Sequence, residues 1–236
     1  MEKAHNPAHC SQCETRIRSV FCKAEMRDLE AIDEHKNLVE FKKGQEIFNQ
    51  DGKPHGLFCI SKGKVKIHQL GSEGKEQIVR MAKEGDIIGY RSLLSGDRYA
   101  CSATALDQAT VCFIPKETFF KVLEENAQVA FSVMNLLSHD LQNAEHKLTD
   151  INQRPVKERL AEALLFLKET YGFESDNQTL NIVLSREDIA SLVGTARETA
   201  IRFLSELKDE GVLDLEGKKI KIQNIAQLVR LANVID

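Results

Sequence analysis

Hydrophobic residues recur along the chain with two different periods, and each period predicts a different kind of secondary structure. Between residues 37 and 115, short runs of β-branched and aromatic residues alternate with polar residues and are separated by glycines. Strands of this length at a spacing of ~8–12 residues predict an all-β barrel or jelly roll. Residues 24–34 before these strands, and residues 116–152 after them, follow a helical period instead.

A long helix is predicted to begin after Asn126, which can cap it, and to end near residue 152. Its apolar residues recur in alternate steps of four and three, which is a heptad pattern with a narrow seam. A narrow seam favours pairing with a second copy of the helix, because packing on a sheet needs a broader face. Burial of the helix within its own chain is the alternative. The seam residues are Ala130, Met134, Leu137, Leu141, Ala144, Leu148 and Ile151.

The heptad pattern is interrupted at Pro155. Because the residue before a proline is disfavoured in a helix, we expect a boundary near Arg154. Residues 156–171 then predict a second amphipathic helix, and residues 179–184 predict a strand.

Two further short helices follow, joined by a tight turn at Gly194. Ser185 is placed to accept a hydrogen bond from the backbone N–H of Asp188, as the N-cap of the first helix. Thr195 and Glu198 have the T-x-x-E spacing of a capping box for the second helix. Two capped helices with a glycine between them predict a helix-turn-helix, whose second helix offers its N-terminal residues to DNA bases.

The two faces of this second helix differ in their chemistry. The residues predicted to face inward are Ala200, Ile201, Leu204 and Leu207. The residues predicted to face outward are Arg197, Glu198, Thr199 and Arg202. Arginine can pair bidentately with guanine and glutamate can accept from cytosine N4, so the outward face suits base readout. A solvent-exposed helix face held by salt bridges is the alternative interpretation.

Residues 211–222 predict a β-hairpin that turns at Gly217, which corresponds to the wing of a winged helix. Basic residues here are placed to reach the DNA phosphates, which set affinity and salt dependence without reading sequence. The basic residues of this end of the chain are Arg186, Arg197, Arg202, Lys208, Lys218, Lys219 and Lys221.

The overall charge gives no support for nucleic-acid binding. The 236-residue chain has a formal net charge of −4, so DNA binding must rest on local charge. No apolar run approaches the ~20 residues of a membrane span, and the N-terminal segment lacks the apolar core of a signal peptide. We therefore expect a cytoplasmic protein, whose six cysteines are thiols or metal ligands rather than disulfides.

The segment G-T-A-R-E-T-A-I-R at residues 194–202 closely resembles the recognition-helix motif of the CRP/FNR family of bacterial transcription regulators. The pattern K-G-Q-x-I-F…G…L-F-x-I-x-x-G-x-V-K…G-D-I-I-G resembles the cyclic-nucleotide-binding-like roll of the same family. The resemblance implies that Arg197, Glu198 and Arg202 contact bases. It also implies a homodimer on a palindromic operator, with RNA polymerase as a further partner.

The expected fold class is α+β, with an N-terminal double-stranded β-helix (jelly roll), a long dimerisation helix and a C-terminal winged helix-turn-helix. The expected domains are a cysteine-containing arm (1–27), a sensory roll (28–125), the dimerisation helix (126–152) and a winged-helix domain (153–236). The residues expected to contact DNA are Ser185, Arg186, Thr195, Arg197, Glu198, Thr199, Arg202, Lys218 and Lys219.

The roll departs at two positions from family members that bind cyclic AMP. In those members a glutamate follows the glycine at Gly89, and an arginine-serine pair precedes the next strand. Here Gly89 is followed by Tyr90, and the pair is Cys101-Ser102. The groups for the ribose hydroxyl and the cyclic phosphate are therefore missing. We expect no cyclic AMP, and a roll filled by side chains or by another small molecule.

The spacing Cys10-x2-Cys13-x8-Cys22, together with Cys112, resembles the layout of the oxygen-sensing FNR branch of the family. In that branch the corresponding cysteines hold a [4Fe–4S] cluster, and loss of the cluster to oxygen or nitric oxide switches dimerisation. The gap between Cys13 and Cys22 is longer here than in that branch. Structural zinc and inert thiols are therefore kept as alternatives.

The roll contains little other candidate chemistry. A cupin-like metal enzyme needs clustered histidines and an acid on adjacent strands. His55 and His68 are not accompanied by such a set of residues. No Ser/His/Asp arrangement, P-loop or dinucleotide fingerprint is present, so we expect no enzyme. Cys59 and Cys101 lie in strand-like runs, where we expect small core residues. The alternatives are a regulator that senses a small molecule without a cluster, and a cyclic-nucleotide-binding module that does not bind DNA.

Overall fold

The computed structural model describes residues 9–71 and 74–233. In this part of the chain the alternating segment forms the predicted roll from eight strands. In chain order they are β1 (Asn37–Phe41), β2 (Glu46–Phe48), β3 (Gly56–Lys62), β4 (Val65–Leu70), β5 (Glu76–Ala82), β6 (Ile87–Ile88), β7 (Ser102–Ala105) and β8 (Ala109–Pro115). They form two four-stranded sheets, in the orders β1-β8-β3-β6 and β2-β7-β4-β5, with antiparallel pairings.

Short helical segments flank the strands and complete the core of the roll. Before β1 the chain forms three 3₁₀ segments (Cys10–Gln12, Glu14–Arg18 and Val20–Lys23) and helix α1 (Met26–His35), which confirms the helix predicted there. Helix α2 (Tyr90–Ser95) follows β6, and helix α3 (Lys116–Glu125) follows β8. The core that these elements share with the sheets includes Phe21, Ile32, Leu57, Leu93, Ile114 and Phe119.

Helix α4 (Ala127–Gln153) is the predicted long helix, and Asn126 caps it as expected. The Asn126 Oδ1 atom accepts hydrogen bonds from the backbone N–H groups of Gln128 and Val129, at 3.0 and 3.2 Å. Its Nδ2 atom donates to the buried Asp28 carboxylate at 2.7 Å. The cap therefore fastens the start of α4 to α1 as well as satisfying its first N–H groups.

The chain divides into two compact units. The first holds the described residues up to Gln69 together with Arg80–Gln142, and the second holds Leu70–Val79 together with the described residues from Asn143. The second unit resumes as helix beyond the predicted break at Pro155. Its elements are α5 (Val156–Tyr171), α6 (Arg186–Val193), α7 (Arg197–Asp209), β9 (Leu213–Glu216), β10 (Lys219–Ile222) and α8 (Ile225–Ala232).

Strands β9 and β10 form the predicted antiparallel hairpin, which turns at Gly217 with a φ of +60°. Helix α8, which the sequence analysis did not predict, packs against α5 and buries Leu228 and Ala232. Among the helices of residues 9–71 and 74–233, none is long and apolar enough to cross a membrane.

The strand predicted over residues 179–184 is not formed. Every second residue of this segment is apolar and buried, as predicted: Leu180, Ile182 and Leu184. The segment pairs only through isolated bridges, one of which joins Thr179 to Lys221 of β10. A ladder needs a partner that continues alongside, and among the described residues no strand continues beside this segment. The alternating pattern therefore buries its apolar residues without a sheet.

The capping box predicted for Thr195 and Glu198 is also not formed. Helix α7 begins at Arg197, and its N-cap is Ala196, whose side chain accepts no hydrogen bond. The N–H of Thr195 instead donates to the carbonyl of Ala190 at 3.1 Å. Thr195 therefore lies one residue before the N-cap of α7, so the T-x-x-E spacing is out of register with the start of this helix.

The two predicted caps provide a matched test. Ser185→Ala removes a side chain that caps α6, and it should lower the free energy of unfolding of the second unit by about 1 kcal/mol. Thr195→Ala removes no cap and should change this free energy by less than ~0.5 kcal/mol. Urea unfolding of the two full-length variants, followed by circular dichroism, measures the difference. Equal losses in both variants would contradict the assignment of Ala196 as the N-cap of α7.

Candidate nucleic-acid interface and cysteine cavity

Local hydrogen bonds fix helix α6 and the turn that follows it. The Ser185 Oγ atom accepts from the N–H of Asp188, and the Asp188 carboxylate accepts from the N–H of Ser185, both at 3.0 Å. This reciprocal capping box confirms the predicted cap. The helix ends at Gly194, whose φ of +74° lies in the left-handed region that favours glycine.

Arg159 of α5 holds the same turn from outside. Its guanidinium donates to the carbonyls of Val193 and Gly194 at 3.3 and 3.2 Å, at the end of α6. It also donates to the carbonyls of Ile151 and Arg154, both at 2.9 Å, at the end of α4. A cation there satisfies carbonyls that a helix leaves unpaired and interacts favourably with the helix dipole. No pattern in the sequence predicts this role, because the α6 partners lie 34 and 35 residues away along the chain.

Helix α7 presents most of the predicted polar face to solvent. The side chains of Arg197 and Arg202 are 58% and 65% exposed, and Glu198 is exposed as well. Glu198 and Arg202 lie one helical turn apart, and Arg197 lies beside them in the first turn. Thr199 is half-buried. The structure therefore brings two guanidiniums and one carboxylate together near the N-terminal end of α7.

The apolar face of α7 is narrower than predicted. Ala200, Leu204 and Leu207 are buried as expected, but Ile201 is 38% exposed. Steps of four and three residues place the first three on one stripe, whereas Ile201 lies about 100° around the helix from Ala200. The prediction that Ile201 faces inward was therefore wrong.

The exposed guanidiniums of α7 are only weakly engaged within the chain. The Arg197 Nε atom lies 3.9 Å from Glu187 Oε2, and the Arg202 Nε atom lies 3.9 Å from Glu206 Oε1. Exposed ion pairs contribute ~0–1 kcal/mol. Arg202 also lies over the ring of Phe203, 4.6 Å from its centroid. Both guanidiniums can therefore exchange these contacts for other acceptors at low cost.

Arg186, which was predicted to contact DNA, holds the wing in this structure. Its Nη2 atom donates to the carbonyl of Gly217 at 2.9 Å, at the tip of the β9–β10 hairpin. Lys218 follows at the same tip and is exposed. The contact positions the hairpin relative to the start of α6.

The chain's own carboxylates partner other lysines of the wing. The Lys219 Nζ atom lies 2.7 Å from Glu174 Oε2, and the Lys221 Nζ atom lies 2.7 Å from Glu216 Oε1. These lysines are therefore at the predicted positions, but each is paired with an acidic side chain in the absence of any other anion.

The predicted seam of α4 is largely exposed. The exposed seam residues are Met134, Leu141, Ala144, Leu148 and Ile151. Leu141 and Leu148 are 62% and 65% exposed, whereas Leu137 packs partly against the core. The side of α4 that packs on its own chain is a different stripe, which carries the buried Val129 and Val133. The heptad pattern missed Phe131, an exposed aromatic side chain one turn from Met134.

Four cysteines line one cavity of about 180 Å³ in the first unit. Cys10 and Cys13 come from the N-terminal segment, and Cys59 and Cys112 come from the neighbouring strands β3 and β8, where they are register partners. Three of the predicted metal ligands therefore lie together. Cys22, the fourth predicted ligand, is exposed and does not line this cavity, whereas Cys59, predicted as a core residue, does.

The buried Lys36 lines the cavity and pairs with the half-buried Asp33. The Lys36 Nζ atom donates to Asp33 Oδ1 at 2.5 Å and to Cys10 Sγ at 3.2 Å. Burial, together with the neighbouring Asp33 carboxylate, raises the pKa of Cys10 to about 12. Burial also raises the pKa of Cys59 and of Cys112. These thiols are therefore protonated at neutral pH unless a metal displaces their protons.

The cysteines of the cavity do not have the arrangement of a single-ion site. A single zinc ion requires thiolates about 2.3 Å from one point. Within residues 9–71 and 74–233, no three His, Cys, Asp or Glu side chains are arranged to hold such an ion. A cluster binds each thiolate at a different iron atom, so its cysteines stand further apart around a larger centre. The apolar part of the wall is formed by Phe21, Leu29, Ile32, Leu38 and Ile114.

Aromatic side chains occupy the roll beside Gly89. The rings of Phe48 and Tyr99 stack with centroids 4.1 Å apart, and Phe58 stacks on Phe48 at 5.8 Å. A Cβ atom at Gly89 would lie 3.4 Å from Tyr99 and 3.5 Å from Phe48.

Tyr90 follows this glycine and is buried. Its hydroxyl donates to the Asp140 carboxylate of α4 and accepts from Arg80 Nη1 at 3.1 Å. The position at which cyclic-AMP binders of the family carry a carboxylate therefore carries a phenol, and the phenol is already engaged.

Comparisons with known proteins identify relatives of both parts of the chain. Residues 38–126 match the family model of the cyclic nucleotide-binding domain, and residues 158–231 match that of the Crp-like helix-turn-helix domain. The anaerobic regulatory protein of Bacillus subtilis (strain 168) is 30% identical over 190 residues, which cover 80% of this chain and 79% of that protein. The fumarate and nitrate reduction regulatory protein of Vibrio cholerae is 28% identical over 232 residues, which cover 96% of this chain and 91% of that protein.

The solved structure of FixK2 from Bradyrhizobium japonicum has a TM-score of 0.75 and 25% sequence identity with this chain. The alignment covers 85% of this chain and 99% of that one. The similarity therefore extends over both the roll and the helix-turn-helix.

The cavity thiols should differ from Cys22 in reactivity. In the reduced, metal-free chain at pH 8, iodoacetamide should alkylate the exposed Cys22 more than about tenfold faster than Cys10, because burial limits both access and thiolate formation. Below its pKa the thiolate fraction of Cys10 rises about tenfold per pH unit, so its rate should rise in that proportion between pH 7 and 9. Mass spectrometry of the labelled peptides measures both rates. Rapid labelling of Cys10 at pH 7 would contradict its buried position.

Proposed function

The chain belongs to the CRP/FNR family of transcription regulators, and we propose that it acts as a homodimer on a palindromic DNA operator, under the control of a signal received at its cysteine cavity. Family membership confirms the predicted class, a DNA-binding regulator and not a cupin-like enzyme. The observation that carries the proposal is the exposed face of α7, where Arg197, Glu198 and Arg202 lie near the N-terminal end of the second helix of the helix-turn-helix.

The chemistry of this face supports direct readout of base edges. In a helix-turn-helix the second helix lies in the major groove with its N-terminal residues at the bases. Arg197 and Arg202 can each donate two hydrogen bonds to guanine O6 and N7, and Glu198 can accept from cytosine N4. Each such contact discriminates against the wrong base by ~1–3 kcal/mol. A dimer presents two of these faces to half-sites ~34–36 Å apart, which is why the operator is palindromic.

The wing supports contact with the phosphate backbone beside the groove. Arg186 fixes the tip of the hairpin, and Lys218 projects from that tip as an exposed cation. The pairs of Lys219 with Glu174 and of Lys221 with Glu216 lie at the surface, so phosphate oxygens can replace the carboxylates. Neutralising phosphates releases counterions from DNA, which makes the affinity fall with salt concentration.

The exposed seam of α4 supports dimerisation through this helix. A row of apolar side chains that spans the helix from Met134 to Ile151 is left in contact with water in a single chain. Contiguous exposed apolar surface marks an interaction site, and its burial contributes about 25 cal/mol per Å². Pairing of two such helices side by side also supplies the two-fold axis that a palindromic operator requires.

We place the sensed signal at the cysteine cavity. Its thiols fit a [4Fe–4S] cluster, a group that supplies iron–sulfur bonds open to attack by oxygen or nitric oxide. Cys10, Cys13 and Cys112 would hold the cluster, and the Lys36 ammonium beside Cys10 would offset its negative charge. The similarity to an anaerobic regulatory protein and to a fumarate and nitrate reduction regulatory protein supports a signal related to oxygen supply.

The packing of the first unit supports a route from the cavity to the dimerisation helix. Phe21, Ile32 and Ile114 line the cavity, and they belong to the same apolar core as Val129 and Val133 of α4. Close-packed interiors transmit a change of volume to their neighbours. A change in the occupancy of the cavity therefore acts on the inner stripe of the helix whose outer stripe is the seam.

The interior of the roll supports a regulator that does not use cyclic AMP. The ring stack of Phe48 with Tyr99 occupies the space beside Gly89, and the Tyr90 hydroxyl is already bonded to Asp140 and Arg80. A cyclic nucleotide would have to displace these side chains and would find no carboxylate for its ribose.

Base readout by α7 predicts a specific loss on mutation. Arg197→Ala and Arg202→Ala should each weaken binding to a preferred operator, first selected from a random duplex library, by ~1–3 kcal/mol. Lys218→Ala should instead weaken operator and scrambled duplexes alike and reduce the salt slope by about one. Fluorescence anisotropy titrations at several salt concentrations measure all three. Unchanged operator affinity in Arg197→Ala would remove that residue from base readout.

The seam predicts which substitutions on α4 disrupt the dimer. Leu141→Glu places a carboxylate from each subunit into the apolar interface and should weaken dimerisation at least about tenfold, or ~1.4 kcal/mol. Glu145→Gln changes an exposed position of the same helix outside the seam and should leave the dissociation constant unchanged. Sedimentation equilibrium without oxygen measures both constants. Equal dissociation constants for the two variants would exclude this seam as the dimer interface.

A further inference from the structure

The cavity contains one cysteine that the predicted ligand set omits, and it lacks one that the set includes. Cys59 lines it together with Cys10, Cys13 and Cys112, whereas Cys22 is exposed and outside the lining. A cluster of the [4Fe–4S] type takes four thiolates. The identity of the fourth ligand therefore depends on which of Cys59 and Cys22 can reach the other three.

The sheet fixes Cys59 beside a ligand of the predicted set. Cys59 in β3 is the direct register partner of Cys112 in β8. Side chains of directly opposed residues project from the same face of a sheet, with Cβ atoms ~4.5–5.5 Å apart. Strand β3 is bonded on both edges, to β8 and to β6. The position of Cys59 is therefore set by the framework of the roll and not by a mobile loop.

The 3₁₀ segment Val20–Lys23 turns Cys22 away from the cavity. Phe21 is buried in the core, where its ring meets that of Phe119 edge to face with centroids 6.4 Å apart. Ser19 fixes the start of the segment, because its Oγ atom accepts from the N–H of Phe21 at 3.1 Å. With three residues per turn, neighbouring side chains of a 3₁₀ segment point about 120° apart. Cys22 can reach the cavity only if the segment unwinds and Phe21 leaves the core.

We propose that Cys10, Cys13, Cys59 and Cys112 form the ligand set of the cavity and that Cys22 lies outside it. The inference rests on the proposed function for the identity of the centre, an iron–sulfur cluster. On binding, each thiol loses its proton to solvent and its sulfur forms one bond to a metal atom, so no cysteine is oxidised.

Matched serine variants test the ligand set in the full-length chain. Wild type, Cys59→Ser, Cys22→Ser and Cys101→Ser are purified without oxygen, reduced, freed of reductant, and supplied with sulfide and equal amounts of Fe²⁺ and Fe³⁺. Iron and acid-labile sulfide per chain, together with the visible spectrum, should fall at least about tenfold in Cys59→Ser. Cys22→Ser and Cys101→Ser should retain the wild-type content. Iron retained by Cys59→Ser, or lost by Cys22→Ser, overturns the proposal.

The wild-type chain supplies a second readout that does not depend on the folding of a variant. Metal-loaded and metal-free chains are alkylated at pH 9 and their peptides are compared by mass spectrometry. Cys22 is exposed, so it should be labelled to the same extent in both forms if it lies outside the ligand set. Protection of Cys22 in the loaded chain contradicts the ligand set.

Operator binding separates failure of the ligand set from failure of the proposed signal. Loss of iron in Cys59→Ser and not in Cys22→Ser, in a chain whose operator affinity is the same with and without the cluster, retains the ligand set and refutes cluster-based sensing. Loss of iron in Cys22→Ser and not in Cys59→Ser overturns the ligand set and leaves cluster-based sensing standing. A wild-type chain that takes up no iron and sulfide overturns both.

Discussion

The guanidinium of Arg159 is the interaction on which the DNA-binding unit depends. It bonds four carbonyls, two at the end of α4 and two at the end of α6, and so joins the end of α4 to the turn of the helix-turn-helix. Helix ends leave such carbonyls unpaired, and arginine has five N–H donors in a rigid planar fork. The turn at Gly194, from which α7 follows, is thereby held in a fixed position relative to the end of α4.

Buried polar contacts play a comparable part at the roll. Asn126 bonds Asp28 where α4 begins, and further along α4 Asp140 accepts from the hydroxyl of Tyr90 and lies 3.5 Å from Arg80. Buried polar groups specify one arrangement, because any other leaves them unsatisfied. The helix is therefore fastened at two polar points, and the apolar stretch between them shares a core with the cysteine cavity.

Local patterns in the sequence predicted most of the fold, and the failures have a common physical origin. Ser185 caps α6, Asn126 caps α4, and the glycine-punctuated strands form the roll, because each depends on a few neighbouring residues. Thr195 fails as a cap because α7 begins at Arg197, one residue later than the T-x-x-E pattern requires, and residues 179–184 fail as a strand because no partner among the described residues continues beside them. The first residue of a helix and the pairing of a strand are both set by the surrounding fold, which these short patterns do not contain.

Short sequence patterns also predicted only part of the helix-turn-helix and of the cysteine cavity. The outward residues of α7 follow from helical spacing, whereas the role of Arg159 depends on carbonyls 34 and 35 residues away. Cys59 lies beside Cys112 because β3 and β8 pair in that register, although the two cysteines are more than fifty residues apart in the sequence. No motif based on the spacing of cysteines predicts this pairing.

The carboxylates of Glu174 and Glu216 have one more consequence for a protein whose formal net charge is −4. If the wing contacts DNA as proposed, these carboxylates compete with the phosphates for its lysines, since a duplex must displace them before its backbone reaches those side chains. This exchange weakens the contact with every duplex by a similar factor. Discrimination between sequences is then left to the base contacts of α7, and the weaker backbone contact shortens the residence of the protein on other DNA.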